Sequence, residues 1–203
     1  MRLRFYISFL ALEAITILIF ACNRGHDSKE NHNNDIVWTK TIKLTWNDFK
    51  RPAPWIRVHD AQSALWIDVS DQSLVGLDQI EIAAYFRPDS SWAIPEKTSE
   101  NLLDHEKRHF DIAEITARRF RQYFSEWNGG DRENFDLYIM NVRKLISSFS
   151  DSIQNLYDTE TNHSLNKEVQ RAWDLRIDSI LNNLRQYENN KVKVKVQYQK
   201  RKY

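Results

Sequence analysis

Five consecutive residues, His105-Glu106-Lys107-Arg108-His109, set two imidazoles four positions apart with a carboxylate beside the first. On an α-helix, positions i and i+4 lie roughly 40° apart around the axis and one turn along it, so both rings point the same way. Two such rings can share one zinc ion at about 2.0–2.1 Å. A glutamate next to them can take a proton from a water that the metal has made acidic, which is the arrangement of zinc-dependent peptide hydrolysis. His105 and His109 are therefore expected as metal ligands, Glu106 as general base and Zn2+ as the cofactor.

A catalytic zinc takes three protein ligands and keeps one position open. The extended form of the motif, with a third histidine six residues on, is excluded because Ile112 and Ile115 occupy its Gly and His positions. Asp111 and Glu114 point roughly 120° and 180° away from His105 around the helix. Either could accept the second N–H of a ligating histidine, although Glu114 is better read as an ion pair with Arg118 at i+4. The third ligand must come from elsewhere. His26 and His32 fall in a polar N-terminal stretch, and His59 falls in the half of the chain that reads as strands. His163 stands at the expected start of a third helix, which a hairpin of the first two helices returns toward the histidine pair. His163 is the preferred third ligand. Glu160, Glu168 and Asp158 are the carboxylate alternatives, and Glu160 is the one singled out as a control. Tyr138, Tyr157 or His59 could stabilise an oxyanion, and the sequence does not choose among them.

The elements that must position these groups follow from apolar spacing. Thr98 or Ser99 can cap a helix that runs to about Trp127 and stops at Asn128-Gly129-Gly130. Its apolar residues, including Leu102, Phe110, Ile112, Ile115 and Phe120, lie on more than one side, so this helix is expected to be central and buried. A second helix carries Phe135, Tyr138, Ile139, Val142, Leu145, Ile146, Phe149, Ile153 and Leu156. A third carries Leu165, Val169, Trp173, Ile177, Ile180, Leu181 and Leu184 in the same three- and four-residue rhythm. Upstream, residues 37–46, 64–69 and 80–86 read as strands, with Pro52, Pro54, Gly76 and Pro88 marking breaks. The expected class is α+β: a small antiparallel sheet followed by three long helices, zincin-like, with the H-E-x-x-H motif on the central helix.

Residues 1–21 place two arginines before a mostly apolar run that ends in a small residue, the layout of an export signal. Leu18-Ile19-Phe20-Ala21-Cys22 resembles a bacterial lipobox, which makes Cys22 the expected lipidation site and the first mature residue. Residues 22–35 read as a flexible tether, 36–190 as the peptidase-like domain and 191–203 as a basic tail. The tail, KVKVKVQYQKRKY, could meet an anionic surface. It is read in preference as a solvated end, or as an edge strand kept soluble by its lysines. The 29 Lys+Arg against 28 Asp+Glu leave a net charge of +1, which gives no reason to expect nucleic acid as a partner. The four glycines cannot form a dinucleotide or P-loop fingerprint, and one cysteine excludes a disulfide framework.

Several stretches together resemble the bacterial secreted family known as domain of unknown function 922, regarded as zinc-dependent proteases. They are Leu44-Thr45-Trp46-Asn47-Asp48-Phe49, Ser91-Trp92, the run LLDHEKRHFDIAE from Leu102 to Glu114, Thr161-Asn162-His163, and Gln170 with Trp173. The resemblance spans about residues 44–177 and implies metal-dependent peptide hydrolysis, with His163 matching the family's Thr-x-His. Lys107-Arg108 replaces an expected Gln-Gly, and Ser164 replaces an expected Gly after His163. The expected protein is thus a lipid-anchored zinc peptidase of the bacterial cell envelope acting on a peptide or protein. Its rival is a lipid-anchored binding or assembly module with a structural metal or none. An intact Glu106 favours the enzyme, because a closed structural site has no use for a base.

Overall fold

The computed structural model describes residues 34–70, 79–194 and 196–197. The export signal, Cys22, His26 and His32 lie outside the described residues. Ser99, in extended conformation, accepts the amide N–H of Leu102 on its side chain at 3.2 Å and so starts helix α1, Glu100–Ser125. At 1.5 Å per residue α1 is roughly 39 Å long. The chain turns after it through Gly129, whose φ of 95° lies in the region that glycine enters without strain. Helix α2, Arg132–Thr161, is capped by Asp131, which accepts Asn134 N–H at 2.9 Å. Helix α3, Lys167–Asn183, is capped by Asn166.

Among the described residues eight short strands accompany the helices: β1 (Ile36–Val37), β2 (Ala61–Gln62), β3 (Leu65–Ser70), β4 (Gln79–Phe86), β5 (Trp92–Ala93), β6 (Gly130–Asp131), β7 (Lys191–Lys193) and β8 (Val196–Gln197). β4 is the middle of the main antiparallel sheet. β3 lies along one side of it, from Leu65↔Phe86 to Ser70↔Glu81. The other side is shared by β1 at the Phe86 end and β7 at the Gln79 end. β2 pairs with β5 in a separate antiparallel ribbon, and β6 pairs with β8 in parallel. Lys191–Lys193 therefore form an edge strand, with Val192 and Val194 buried in the core and the lysines exposed.

α1 packs against β4 and, away from the sheet, against α2 and α3. Its Phe110, Ala113, Ala117, Phe120 and Phe124 meet Ile67, Ile82, Ala84 and Phe86 of the sheet and Phe135, Ile139 and Val142 of α2. Its Ile112 and Ile115 join Ile153, Tyr157, Trp173 and Ile177 in a second cluster between the helices. Being covered on several sides, α1 holds its side chains in fixed directions. Among the described residues no helix is long and apolar enough to cross a membrane.

Two local expectations are corrected. The alternation over residues 37–46 does not make a long strand, since only Ile36–Val37 pair with β4. Ile42 N–H turns back onto the Thr39 carbonyl, and the Asp48 carboxylate accepts both the N–H and the hydroxyl of Thr45, favouring a 3₁₀ turn at Trp46–Asp48. The third helix does not begin at His163, because α2 continues to Thr161 and α3 waits for the Asn166 cap. Asn162, His163 and Ser164 form the connecting turn with φ of 48°, 49° and 76°, and Leu165 is exposed rather than packed behind them.

The expected Glu114–Arg118 pair forms (2.9 Å), inside a larger buried network. Glu114 also receives two bonds from Arg121, whose guanidinium reaches the Ile82 and Tyr187 carbonyls and so ties α1 to the sheet and the chain's return. Removing one partner of such a network strands the other charges out of water. Glu114→Gln is expected to destabilise the fold by about 3–5 kcal/mol, read as a lower urea midpoint.

Candidate metal centre

His105 and His109, both buried, leave α1 on the face turned toward the end of α2. Asp158, buried in the last turn of α2, comes to meet them. Its Oδ1 is 3.0 Å from His105 Nε2 and 2.8 Å from His109 Nε2, and the two Nε2 atoms are 3.1 Å apart. A tetrahedral metal with bonds of about 2.0–2.1 Å separates its ligands by about 3.3 Å. The three atoms are therefore close to the spacing one ion requires. They form a group of ligand atoms all within 4.8 Å of one another.

The surroundings fix the rings. Gln154, one turn before Asp158 on α2, donates from Nε2 to the His109 carbonyl (3.1 Å), which leaves its Oε1 as an acceptor facing His109 Nδ1 at 2.6 Å. His109 thus carries a proton on Nδ1 and turns Nε2 toward Asp158, the tautomer a metal ligand needs. Tyr157, fully buried, stacks on the His105 ring (4.6 Å, 19°) and meets the His109 ring edge-on. Without the clamp on Nδ1 the His109 ring loses its orientation. Gln154→Ala is expected to weaken metal affinity about 10–100-fold in a competition titration against a fluorescent chelator.

The surroundings of Asp158 favour a positive charge beside it. Asp158 sits at the C-terminal end of a helix, where the helix dipole disfavours an anion and the last turn has no basic residue. Burial raises its pKa, but the His109 charge and hydrogen bonds from His105, His109 and His163 outweigh this and hold the carboxyl well below the usual range. Burial pulls His109 down, and Asp158 with Glu106 and Gln154 reverses this, to about 9. Burial, acting against Asp158, leaves His105 below its ordinary value. A proton on His109 thus occupies the place a divalent cation can take.

Glu106 lies beside the pair, buried, and its Oε2 accepts the Ser63 hydroxyl at 2.7 Å from the connection between β2 and β3. Both line a cleft of about 230 Å³ with the two histidines and Asp158, walled by the apolar Val58, Leu65, Leu102 and Leu165. His163 also lines it, with its Nδ1 at 3.4 Å from Asp158 Oδ1 and a side chain 38% exposed. Its ring packs 4.1 Å from that of His59, whose pKa is lowered by burial and by His163. Asp158, rather than His163, therefore stands within the three-residue group. Glu160 accepts Trp173 Nε1–H at 2.7 Å, on the opposite side of α2, and Glu168 is exposed at the start of α3. Asp111 accepts Trp38 Nε1–H and Arg108 instead of a histidine. Tyr138 donates to the Tyr123 carbonyl, away from the cleft.

No family model matches the chain, and no curated protein and no solved structure is significantly similar to it.

Proposed function

We propose that the chain is a zinc-dependent peptide hydrolase of the bacterial cell envelope, zincin-like in its central helix and anchored by lipid at Cys22. The observation that carries this reading is the convergence of His105 Nε2, His109 Nε2 and Asp158 Oδ1 in a cleft that also holds the Glu106 carboxylate. The resemblance of residues 44–177 to the domain of unknown function 922 family points to the same class of activity. Two imidazoles and a carboxylate are a common donor set for a catalytic zinc and leave a position open.

A bound zinc supplies Lewis acidity toward the carbonyl under attack and toward water. Glu106 takes the proton of the attacking water and delivers it to the leaving amine. The Ser63 hydroxyl occupies Glu106 Oε2 and leaves Oε1 for that proton. His163 and His59, at the rim of the same cleft, stand where they can donate a hydrogen bond to the substrate.

The test is cleavage of a quenched-fluorescent peptide library by the purified protein. Activity that disappears with a chelator and returns with zinc supports the proposal, and cleavage indifferent to the chelator removes it. The rival, a structural metal in a binding module, is favoured by one observation. His163 is near enough to Asp158 to become a fourth ligand and close the site.

A further inference from the structure

Residues 50–59, KRPAPWIRVH, form a loop whose tip is apolar and exposed: Trp55 is 96% accessible, Ile56 87% and Val58 67%. Lys50, Arg51 and Arg57 flank the tip, all exposed, and no acidic residue occurs between Phe49 and His59. Contiguous exposed apolar side chains of this size mark interaction sites. A tryptophan beside aliphatic residues, with Lys50, Arg51 and Arg57 in the same loop and Asp48 and Asp60 only at its two ends, suits the boundary between anionic headgroups and acyl chains. We propose that this loop seats the protein on an anionic bilayer.

The base of the loop and the start of the described chain are held by the same segment. Lys50 N–H donates to the Pro88 carbonyl and Arg51 N–H to that of Ser91. Asn34 donates to Asp89 at 3.1 Å, Asp35 pairs with Arg87 and Ile36 pairs with Phe86. The chain leading back to Cys22 therefore leaves from the end of the molecule that carries the tip. The eleven residues between Cys22 and Asn34 contain no large apolar side chain and span at most roughly 40 Å. A lipid at Cys22 would thus hold the tip within reach of the surface it suits. Val58 lines the cleft together with Leu165, itself 73% exposed, so the docked tip is continuous with the cleft rim. The inference stands apart from hydrolysis, and its test reads binding alone.

Among the described residues both cores lie between Ile36 and Val194, so a chain beginning at Asn23 retains both without the export signal or the lipid. This chain is expected to sediment with phosphatidylcholine vesicles containing one quarter phosphatidylglycerol, and to do so weakly with phosphatidylcholine alone. Replacing both tip residues, Trp55→Ser with Ile56→Ser, should lower the partition coefficient at least about tenfold with an unchanged melting curve, since neither residue is in a core. Replacing Lys200, Arg201 and Lys202 by Ser should leave most of the binding. Cys22 is the sole cysteine, so Ile56→Cys in this chain accepts a single environment-sensitive dye, expected to shift to the blue on anionic vesicles. Absence of sedimentation, equal binding by the tip variant, binding lost only with the tail, or a dye that does not shift would each overturn the proposal. A tip variant altered in peptide cleavage but not in vesicle binding would do the same and make the loop a substrate contact.

Discussion

Glu106→Gln is expected to lower peptide hydrolysis by roughly 10²–10⁴-fold while the zinc content stays at the wild-type level. Glutamine keeps the shape of the side chain and a carbonyl oxygen for the Ser63 hydroxyl, now 2.7 Å from Glu106 Oε2. It loses the proton acceptor. Glu106 stands outside the three-atom group, so the metal should not notice the change. Two measurements on one sample, initial rate and metal content, separate the outcomes. Loss of zinc with the charge would make Glu106 a ligand, and an unchanged rate would end its role as base.

Asp158→Ala should have the largest effect on metal affinity, a loss of about 10²-fold or more, comparable with His109→Ala. The carboxylate is the one anion of the group and offsets half of the charge of a divalent ion. Its removal leaves two buried imidazoles facing each other at 3.1 Å. His163→Ala should cost far less affinity, because its ring is more than a third exposed and its Nδ1 lies 3.4 Å from Asp158 Oδ1, outside the tight group. A His163 variant as impaired as the Asp158 variant would mean four protein ligands and a closed, structural site. The ordering of these two variants thus decides between the enzyme and the binding module.

The histidine pair and its base were legible because α-helical geometry alone brings i and i+4 together, and Ser99 with the many-sided apolar pattern announced a buried helix. Asp158 was legible only as one alternative of several. Its prominence depends on α2 running four residues past Tyr157, and the turn at Asn162–Ser164 adopts left-handed backbone at three non-glycine positions in a row, which no helical period foretells. One signal was present: Ser150, Gln154, Asp158 and Thr161 place polar side chains on the buried face of α2, where the pattern from Phe135 to Ile146 is apolar. Polar residues on a buried stripe need partners, and here two of them face the histidines. Ser63 carried no signal, because a serine between two short strands reads as a turn. The strand expected over 37–46 failed for local reasons, the turn that brings Ile42 N–H onto the Thr39 carbonyl and then the Thr45–Asp48 hydrogen bonds. The edge strand at Lys191–Lys193 depends on β4 being longer than β1 can cover, which is a property of the sheet and not of the tail.

The most direct test of the account is the metal content of the protein itself, purified without metal-affinity steps and analysed by mass spectrometry for all first-row metals. About one zinc per chain is expected in the wild type, retained through dialysis, and none in His109→Ala. A wild-type chain that is folded, has been offered zinc and still retains no metal would contradict it.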